Sequence, residues 1–320
     1  MTCILVLPVR GQARAGLYVG VLETRGFITG AANPRSGLFH LRDDTLWTHL
    51  GWTNIRTFGL ASGEDGTLYM AAGNGLLRSV DGGQAWRITT GWEITEVLDV
   101  AVESSQRLYI ATAHGVWRSD DAGETWRALE RGLPQPGARY AQVVAVDRQG
   151  GGYVLVGAEE GLFRSEDGGE HWQAVGPEGV AVRSLAQHPT DGQRWLAGTE
   201  ASGVFLSEDG GQTWRAAAGP LAEATIYAVA FDLADPVRMV AAGHQTGLFS
   251  SIDGGLTWTQ AASSQPIPNI HALAFDPRMP GRLWIGTLGM GVFRTDDLGQ
   301  TWISAGLEGA VVRDLMFYGF

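Results

Sequence analysis

The sequence has few of the residues that several common chemistries require. Its 320 residues include one cysteine, Cys3, so neither an internal disulfide nor a cysteine metal cluster can form. All 23 basic residues are arginine, which excludes Schiff-base lysine chemistry and lysine-dependent phosphate loops. Anion binding would therefore depend on arginine, whose planar fork suits carboxylates and phosphates.

The charge and the hydropathy pattern narrow the possible partners further. The net charge is −11, and contacting nucleic-acid phosphates needs a basic face, so we expect no nucleic-acid ligand. No apolar run approaches the roughly 18 residues of a membrane span. The apolar start, Thr2 to Val9, lacks the charged beginning and the length of a signal peptide, so we interpret it as a β-strand. This favours the cytoplasm, although the compartment otherwise stays open.

Tryptophan recurs at a nearly constant interval along the whole chain. The gaps between successive copies are 39, 40, 46, 42, 44 and 44 residues. The copies are Trp47, Trp86, Trp126, Trp172, Trp214, Trp258 and Trp302. A period of this size is typical of propellers and of linear repeat arrays.

Each interval contains four short runs of strand composition, separated by Gly, Asp and Pro. In the last complete unit they are Ile270–Pro277, Arg282–Thr287, Gly291–Thr295 and Thr301–Gly306. No helical periodicity of useful length appears. Seven units of four strands predict an all-β fold, a seven-bladed β-propeller of four-stranded antiparallel blades, with residues 1–320 in one domain.

The two ends of the chain are complementary, which favours a closed ring over a linear stack. The first unit lacks an inner strand, whereas the C-terminal Val311–Tyr318 matches the inner strands of other units and has no partner after it. We predict that this C-terminal strand completes the first blade and closes the ring, which removes exposed sheet edges. The segment Cys3–Pro8 has the same composition and is the alternative inner strand.

A polar hairpin with the pattern Ser-x-Asp-x-Gly-x-Thr-Trp precedes most of these tryptophans. Ser and Asp side chains can bond backbone amides that a tight turn leaves unpaired, and Gly supplies the positive φ. We interpret its aspartates as structural rather than as calcium ligands. They are Asp81, Asp121, Asp167, Asp209, Asp253 and Asp297.

These hairpins resemble the Asp-box, or BNR, repeat, with six good copies covering nearly the whole chain. The family includes sialidases, xyloglucan-degrading glycosidases, sortilin-type receptors and a photosystem II assembly factor. The resemblance implies that the hairpins maintain the fold and lie away from the functional face. Function is then expected on the opposite face, in the turns between the second and third strands and in the connections between blades.

Aligning the inner strands places one residue of each blade at the mouth of the central channel. In ring order these residues are Arg313, Arg56, Leu98, Gln142, Arg183, Tyr227 and His271. Three arginines and a histidine in an acidic protein could hold an anionic ligand or partner. The alternative is that these side chains bond nearby loops and acids.

A glycoside hydrolase is the second hypothesis. Sialidases use three arginines and a tyrosine, which the resemblance would place at Arg56, Arg183, Arg313 and Tyr227, but the family's Phe-Arg-Ile-Pro motif is absent and sialidases have six blades. Xyloglucan-degrading enzymes have two propellers, and this chain provides one. The carboxylates Asp99, Glu159, Glu160 and Glu200 are candidates that no motif connects. We therefore assign no catalytic residue.

Two tryptophans lie outside the repeat pattern. Trp52 and Trp92 occupy matching places on the connections after the first two blades, where an exposed ring could stack on a sugar or anchor a protein. Capping of a blade edge is the alternative. Two irregular segments, Leu22–Ser36 and Arg131–Tyr140, are further places where specificity could be added.

The sequence therefore predicts a non-catalytic binding or assembly scaffold that recognises a protein or an anionic or glycan ligand on the face opposite the hairpins. We expect no cofactor. We also expect no metal, since His114 and His244 are on distant blades. The sequence leaves the oligomeric state open.

Overall fold

The computed structural model describes residues 13–24, 36–42, 46–134 and 140–320. Within these ranges the chain forms seven antiparallel sheets of four strands each. The inner strands of successive sheets contact one another in an unbroken cycle, so the sheets are the blades of a closed propeller. The predicted seven-bladed all-β fold is confirmed.

The first blade combines both ends of the described chain. Its strands, from the channel outward, are β28 (Ala310–Tyr318), β1 (Gly16–Thr24), β2 (Gly37–Arg42) and β3 (Leu46–Leu50). The C-terminal strand pairs with β1 along nearly its whole length, which confirms that it closes the ring. Thr2–Val9, including Cys3–Pro8, and most of Leu22–Ser36 lie outside the described residues.

The other blades each consist of four consecutive strands in chain order, which we call a to d from the channel outward. The second to fourth blades contain β4 (Thr57–Ser62), β5 (Leu68–Ala72), β6 (Gly75–Ser79), β7 (Arg87–Ile88), β8 (Val97–Val102), β9 (Leu108–Thr112), β10 (Gly115–Ser119), β11 (Arg127–Leu129), β12 (Ala141–Val146), β13 (Val154–Ala158), β14 (Gly161–Ser165) and β15 (Gln173–Ala174). The fifth to seventh contain β16 (Val182–Gln187), β17 (Trp195–Thr199), β18 (Val204–Ser207), β19 (Arg215–Ala216), β20 (Ile226–Phe231), β21 (Met239–Gly243), β22 (Leu248–Ser251), β23 (Thr259–Gln260), β24 (Ile270–Phe275), β25 (Leu283–Thr287), β26 (Val292–Thr295) and β27 (Ile303–Gly306).

Burial follows the position of a strand within its blade. The b strands, such as β5 and β25, are buried at every residue because both of their faces pack against neighbouring blades. They therefore appear in the sequence as continuous apolar runs rather than as alternating ones. The d strands at the rim are short and largely exposed, which limits the length of free sheet edge.

Strand direction decides which loops share a face. Because neighbouring strands are antiparallel, the c–d hairpins lie on the same face as the a–b turns. The b–c turns and the d–a connections lie on the other face, which we call the open face.

An irregularity in every inner strand shapes the channel at its open-face end. In each a strand the pairing register shifts around the second residue, as between Thr57 and Gly59 or between Ile270 and Ala272. β28 has the same shift around Arg313. Such β-bulges re-aim the extra side chain, here at the rim of the channel.

Candidate functional site

The polar hairpins satisfy their own backbone locally. In the fourth blade, Ser165 Oγ donates to Asp167 Oδ1 at 2.8 Å and accepts a hydrogen bond from the amide of Gly169 at 2.8 Å. Asp167 Oδ1 also accepts from the amide of His171 at 2.9 Å. The same serine-to-aspartate and glycine-to-serine bonds occur in the second, third, fifth and sixth blades, and threonine replaces serine in the seventh.

These bonds keep the hairpin aspartates ionised. The Thr125 hydroxyl and amide, followed by the hydroxyl of Ser119, lower the pKa of Asp121 to about 2. The corresponding bonds from Thr257 and Ser251 lower the pKa of Asp253 to about 2. The carboxylate oxygens of these aspartates accept hydrogen bonds from their own hairpin, as groups that stabilise a turn do.

The tryptophans that end the hairpins connect neighbouring blades. Trp126 Nε1 donates to the carbonyl of Thr89 in the preceding blade at 3.2 Å. Trp47 Nε1 donates at 2.6 Å to the carbonyl of Ala305, so the first blade is joined to the seventh by the same kind of contact. Trp172 is 3% exposed, and a burial of this size removes roughly 150–250 Å² of aromatic surface from water.

The inner strands line a central cavity of 440 Å³. Its open-face rim carries the bulge residues, which agree with the predicted ring at six of seven positions. They are Phe58, Leu98, Gln142, Arg183, Tyr227, His271 and Arg313.

The prediction for the second blade was wrong by two residues. Arg56 precedes β4 and is exposed, while Phe58 occupies the bulge and lines the channel. The Arg56 guanidinium lies over the Phe58 ring, 5.8 Å from its centroid, outside the channel wall. An alanine shared by the fifth position of the inner strands, such as Ala61 and Ala101, is the signal in the sequence that gives the correct alignment.

Four adjacent blades place polar donors at the rim, and we call Arg183, Tyr227, His271 and Arg313 the donor arc. Arg313 Nη1 lies 2.9 Å from His271 Nδ1, and the rings of Tyr227 and His271 have centroids 4.6 Å apart. Arg183 Nε donates to Glu200 Oε2 at 3.0 Å, so this arginine already has an acidic partner. Among the described residues, no carboxylate forms an ion pair with Arg313.

The state of His271 follows from this geometry. Since a guanidinium can only donate, Nδ1 of His271 must accept, and the ring proton is then on Nε2. Burial and then the charge of Arg313 lower the pKa of His271 to about 4, so the ring is neutral near pH 7. Nε2 is buried and has no hydrogen-bond partner among the described residues. Burial also lowers the pKa of Arg313.

The channel wall also carries two carboxylates, in the third and the first blades. Asp99 accepts hydrogen bonds from the amides of Val100 at 2.8 Å and Val144 at 2.9 Å. Burial raises the pKa of Asp99 to about 7 and the pKa of Asp314 to about 6. Asp314 lies next to Arg313 in β28, and sequence reasoning did not single it out.

Three exposed aromatic residues lie on the open face, away from the channel wall. Trp52 is 47% exposed and Trp92 is 87% exposed, each on a d–a connection. Tyr140, 48% exposed, occupies the next such connection at the end of Arg131–Tyr140, of which residues 135–139 lie outside the description. Three successive connections therefore present an aromatic ring to solvent.

The other candidate residues do not converge. Glu159 and Glu160 form an exposed b–c turn, and Glu200 is paired with Arg183. His114 Nε2 lies 3.9 Å from Glu96 Oε2, and the His244 ring lies 6.4 Å from that of Tyr227. In the described part of the chain, no group of three or more His, Cys, Asp or Glu side chains could hold a metal ion. The described ranges also contain no helix that is long and apolar enough to cross a bilayer.

Solved structures with the same fold include GH74 enzymes and YCF48 proteins. The GH74 enzyme of Niastella koreensis superimposes with a TM-score of 0.70 at 19% identity, covering 91% of this chain and 55% of its own. The GH74 xyloglucanase of Xanthomonas campestris gives 0.62 at 20% identity, covering 96% and 55%. YCF48 bound to a D1 peptide gives 0.59 at 20% identity, covering 77% and 80%.

These similarities establish the architecture. The chain spans about half the length of the two GH74 enzymes, and at these identities the shared feature is the fold. No family model matches the chain, and no curated protein matches it either. The chain is thus a seven-bladed propeller structurally similar to GH74 xyloglucanases and to the YCF48 propellers, as the Asp-box hairpins predicted.

Proposed function

We propose that the protein is a non-catalytic binding module whose open face holds an anionic group of a partner protein at the channel mouth. The observation that carries this proposal is Arg313. Its guanidinium is half-buried beside a neutral His271 and forms no ion pair with a carboxylate among the described residues. A desolvated cation without an anion is costly, so an incoming carboxylate or phosphate would gain a charge-assisted bond.

The surroundings favour a protein partner over a small ligand. Trp52, Trp92 and Tyr140 extend the open face outward with exposed rings, which are typical anchors in protein interfaces. The structurally similar YCF48 has been solved with a D1 peptide, which is consistent with peptide recognition by this fold. Binding of a glycan with acidic groups is the other outcome that the binding experiment can give.

Glycoside hydrolysis is the second candidate, because two carboxylates share the channel and GH74 enzymes share the fold. Asp99 and Asp314, however, each accept two backbone amides and so join neighbouring blades, which accounts for both carboxylates as structural groups. We expect no release of reducing ends from xyloglucan or sialylated glycans. Release that is lost in Asp99→Asn would favour the enzyme instead.

A binding experiment with a matched arginine control tests the proposal. Arrays of short acidic peptides and of uronic-acid and sialylated oligosaccharides would identify a probe, whose affinity is then measured by calorimetry. We expect Arg183→Ala combined with Arg313→Met to weaken binding by about tenfold or more, since each charge-assisted bond contributes about 1.5–3 kcal/mol.

The control is Arg56→Ala, which removes an exposed arginine of the same face that lies outside the channel wall. We expect it to retain the affinity of the unmodified protein. Equal losses in Arg56→Ala and in the channel variant, with folding verified by circular dichroism, would show nonspecific charge attraction and contradict the proposal.

A further inference from the structure

The two channel carboxylates perform the same task in two different blades. Asp314 Oδ2 accepts from the amide of Leu60 in the next blade at 2.7 Å, and its Oδ1 accepts from its neighbour Leu315 at 2.8 Å. Asp99 joins the third blade to the fourth in the same way, through Val100 and Val144. Each carboxylate thus satisfies two amides that the edge of an inner strand turns toward the channel.

Both aspartates occupy the position directly after the bulge. Around the ring this position carries Gly59, Asp99, Val143, Ser184, Ala228, Ala272 and Asp314. Gly59 allows Asp99 to approach, because a Cβ at Gly59 would lie 2.9 Å from Asp99 Oδ1. In the sixth blade the position is Ala228, whose methyl group leaves open the space that a carboxylate fills in the third blade.

The amides of the residues next to Ala228 and at the matching place in the seventh blade have no side-chain acceptor among the described residues. Val229 and Leu273 have the same register as Val100 and Val144, so their N–H groups also face the channel. Among the described residues, no side chain accepts a hydrogen bond from either amide. Both residues line the central cavity. The sixth and seventh blades therefore present the donor pair that Asp99 satisfies between the third and fourth, but without an acid.

The electrostatics favour an anion at this place. The donor arc of Arg183, Tyr227, His271 and Arg313 lies at the same side of the channel, one residue closer to the open face. In the ring of seven, the fifth and sixth blades are the farthest from both Asp99 and Asp314. Ser184 Oγ in the fifth blade and His271 Nε2 in the seventh are also buried with no hydrogen-bond partner among the described residues.

We propose that a carboxylate supplied by the ligand occupies the space beside Ala228 and accepts hydrogen bonds from the amides of Val229 and Leu273. This inference rests on the proposed function, which it extends by specifying the depth and chemistry of the anionic group. The carboxylate would reproduce the contacts of Asp99, with Arg313 nearer the open face. The source of the carboxylate is either the end of a chain or an acidic side chain.

Amide NMR of the full-length, ¹⁵N-labelled protein tests this directly. Sodium acetate is titrated against sodium chloride at equal ionic strength. We expect saturable downfield shifts of the Val229 and Leu273 amide protons with acetate only, because a charged acceptor strengthens an N–H hydrogen bond. The inference is wrong if these amides respond to acetate no more than to chloride.

A variant that supplies the acid internally makes the test sharper. Ala228→Asp should show the shifted Val229 and Leu273 amides before any addition, with no further response to acetate. A response to acetate at these amides in folded Ala228→Asp would overturn the inference. Should this variant not fold, Arg313→Met serves instead, with acetate binding weakened by about tenfold and Arg56→Ala unchanged as control.

Three further probes identify the source of the carboxylate. N-acetylalanine represents a chain end, N-acetylaspartic acid α-amide represents a side chain, and N-acetylalanine amide lacks the charge. Tighter binding of either acid names the source, whereas equal binding of the uncharged amide contradicts the inference. If the Val229 and Leu273 amide signals do not shift while peptide binding still depends on Arg183 and Arg313, this site is rejected. The proposed function would then remain intact.

Discussion

The hairpin ring and the channel wall follow the same sevenfold repeat but use aspartate in opposite ways. Hairpin aspartates such as Asp121 are partly exposed at the surface, bonded within their own turn and held at a lowered pKa. The channel aspartates Asp99 and Asp314 are enclosed, bridge two blades and have raised pKa values. The first arrangement recurs in six blades and the second in two. The hairpins are therefore a feature of the repeated scaffold, whereas the channel aspartates distinguish individual blades.

This contrast assigns different roles to the two faces. In the hairpins the serine or threonine hydroxyl and the aspartate carboxylate find their partners within a few residues, which is typical of groups that stabilise a turn. In the channel, bulges turn side chains inward, and several donors of the fifth to seventh blades have no acceptor among the described residues. Unsatisfied donors of this kind call for a physical explanation, and an external anion provides one.

The largest expected effect tests the claim that stability depends on the hairpin ring. Trp172→Ala removes a buried ring between two blades and should lower the free energy of unfolding by about 3–5 kcal/mol. Trp92→Ala, which removes an exposed ring on the open face, should change it by no more than about 0.5 kcal/mol. Urea denaturation measures both values. Similar losses in the two variants would contradict the assigned roles.

A smaller effect is expected from the hairpin hydroxyl. Ser165→Ala leaves the buried amide of Gly169 without its acceptor and should cost about 1–3 kcal/mol. The partly exposed Ser263, whose hydroxyl exchanges hydrogen bonds with the backbone of Gln265 in a surface loop, provides the control. Ser263→Ala is expected to stay within about 0.5 kcal/mol. An unchanged unfolding midpoint in Ser165→Ala would mean that the hairpin bonds contribute little.

The pH dependence of stability tests the two sets of aspartates directly, because their contributions oppose each other. Asp99 and Asp314 bind their protons more tightly when folded, so the free energy of unfolding should fall as pH rises from about 4 to about 7. The hairpin aspartates release theirs more readily, so stability should also fall as pH drops from about 4 to about 2. Urea denaturation across this range should show a maximum between the two windows.

The Asp99→Asn variant separates the two contributions. Its amide does not titrate, so the decline between about pH 4 and pH 7 should become shallower while the acid side stays unchanged. An identical slope in the variant and the unmodified protein would show that Asp99 does not titrate in this window.

Most of the architecture could be predicted because it depends on local and repeated sequence patterns. The spacing of tryptophans gave the number of blades, and the resemblance of Val311–Tyr318 to other inner strands indicated ring closure. The misplacement of Arg56 shows the limit of this reasoning. A bulge near the start of the strand makes side-chain direction depend on pairing with β5, so an alignment error of two residues exchanged an exposed arginine for Phe58 in the channel.

The sequence by itself determined the repeat, the hairpin chemistry and the closure of the ring, because these depend on neighbours within a few residues or on similarity between units. The tertiary structure alone decided that Arg313 contacts His271, that Asp99 and Asp314 satisfy amides of adjacent blades, and that no described side chain accepts from the amides beside Ala228. These contacts join residues of different blades, which become neighbours only when the chain folds. Composition and spacing along the chain do not indicate that proximity.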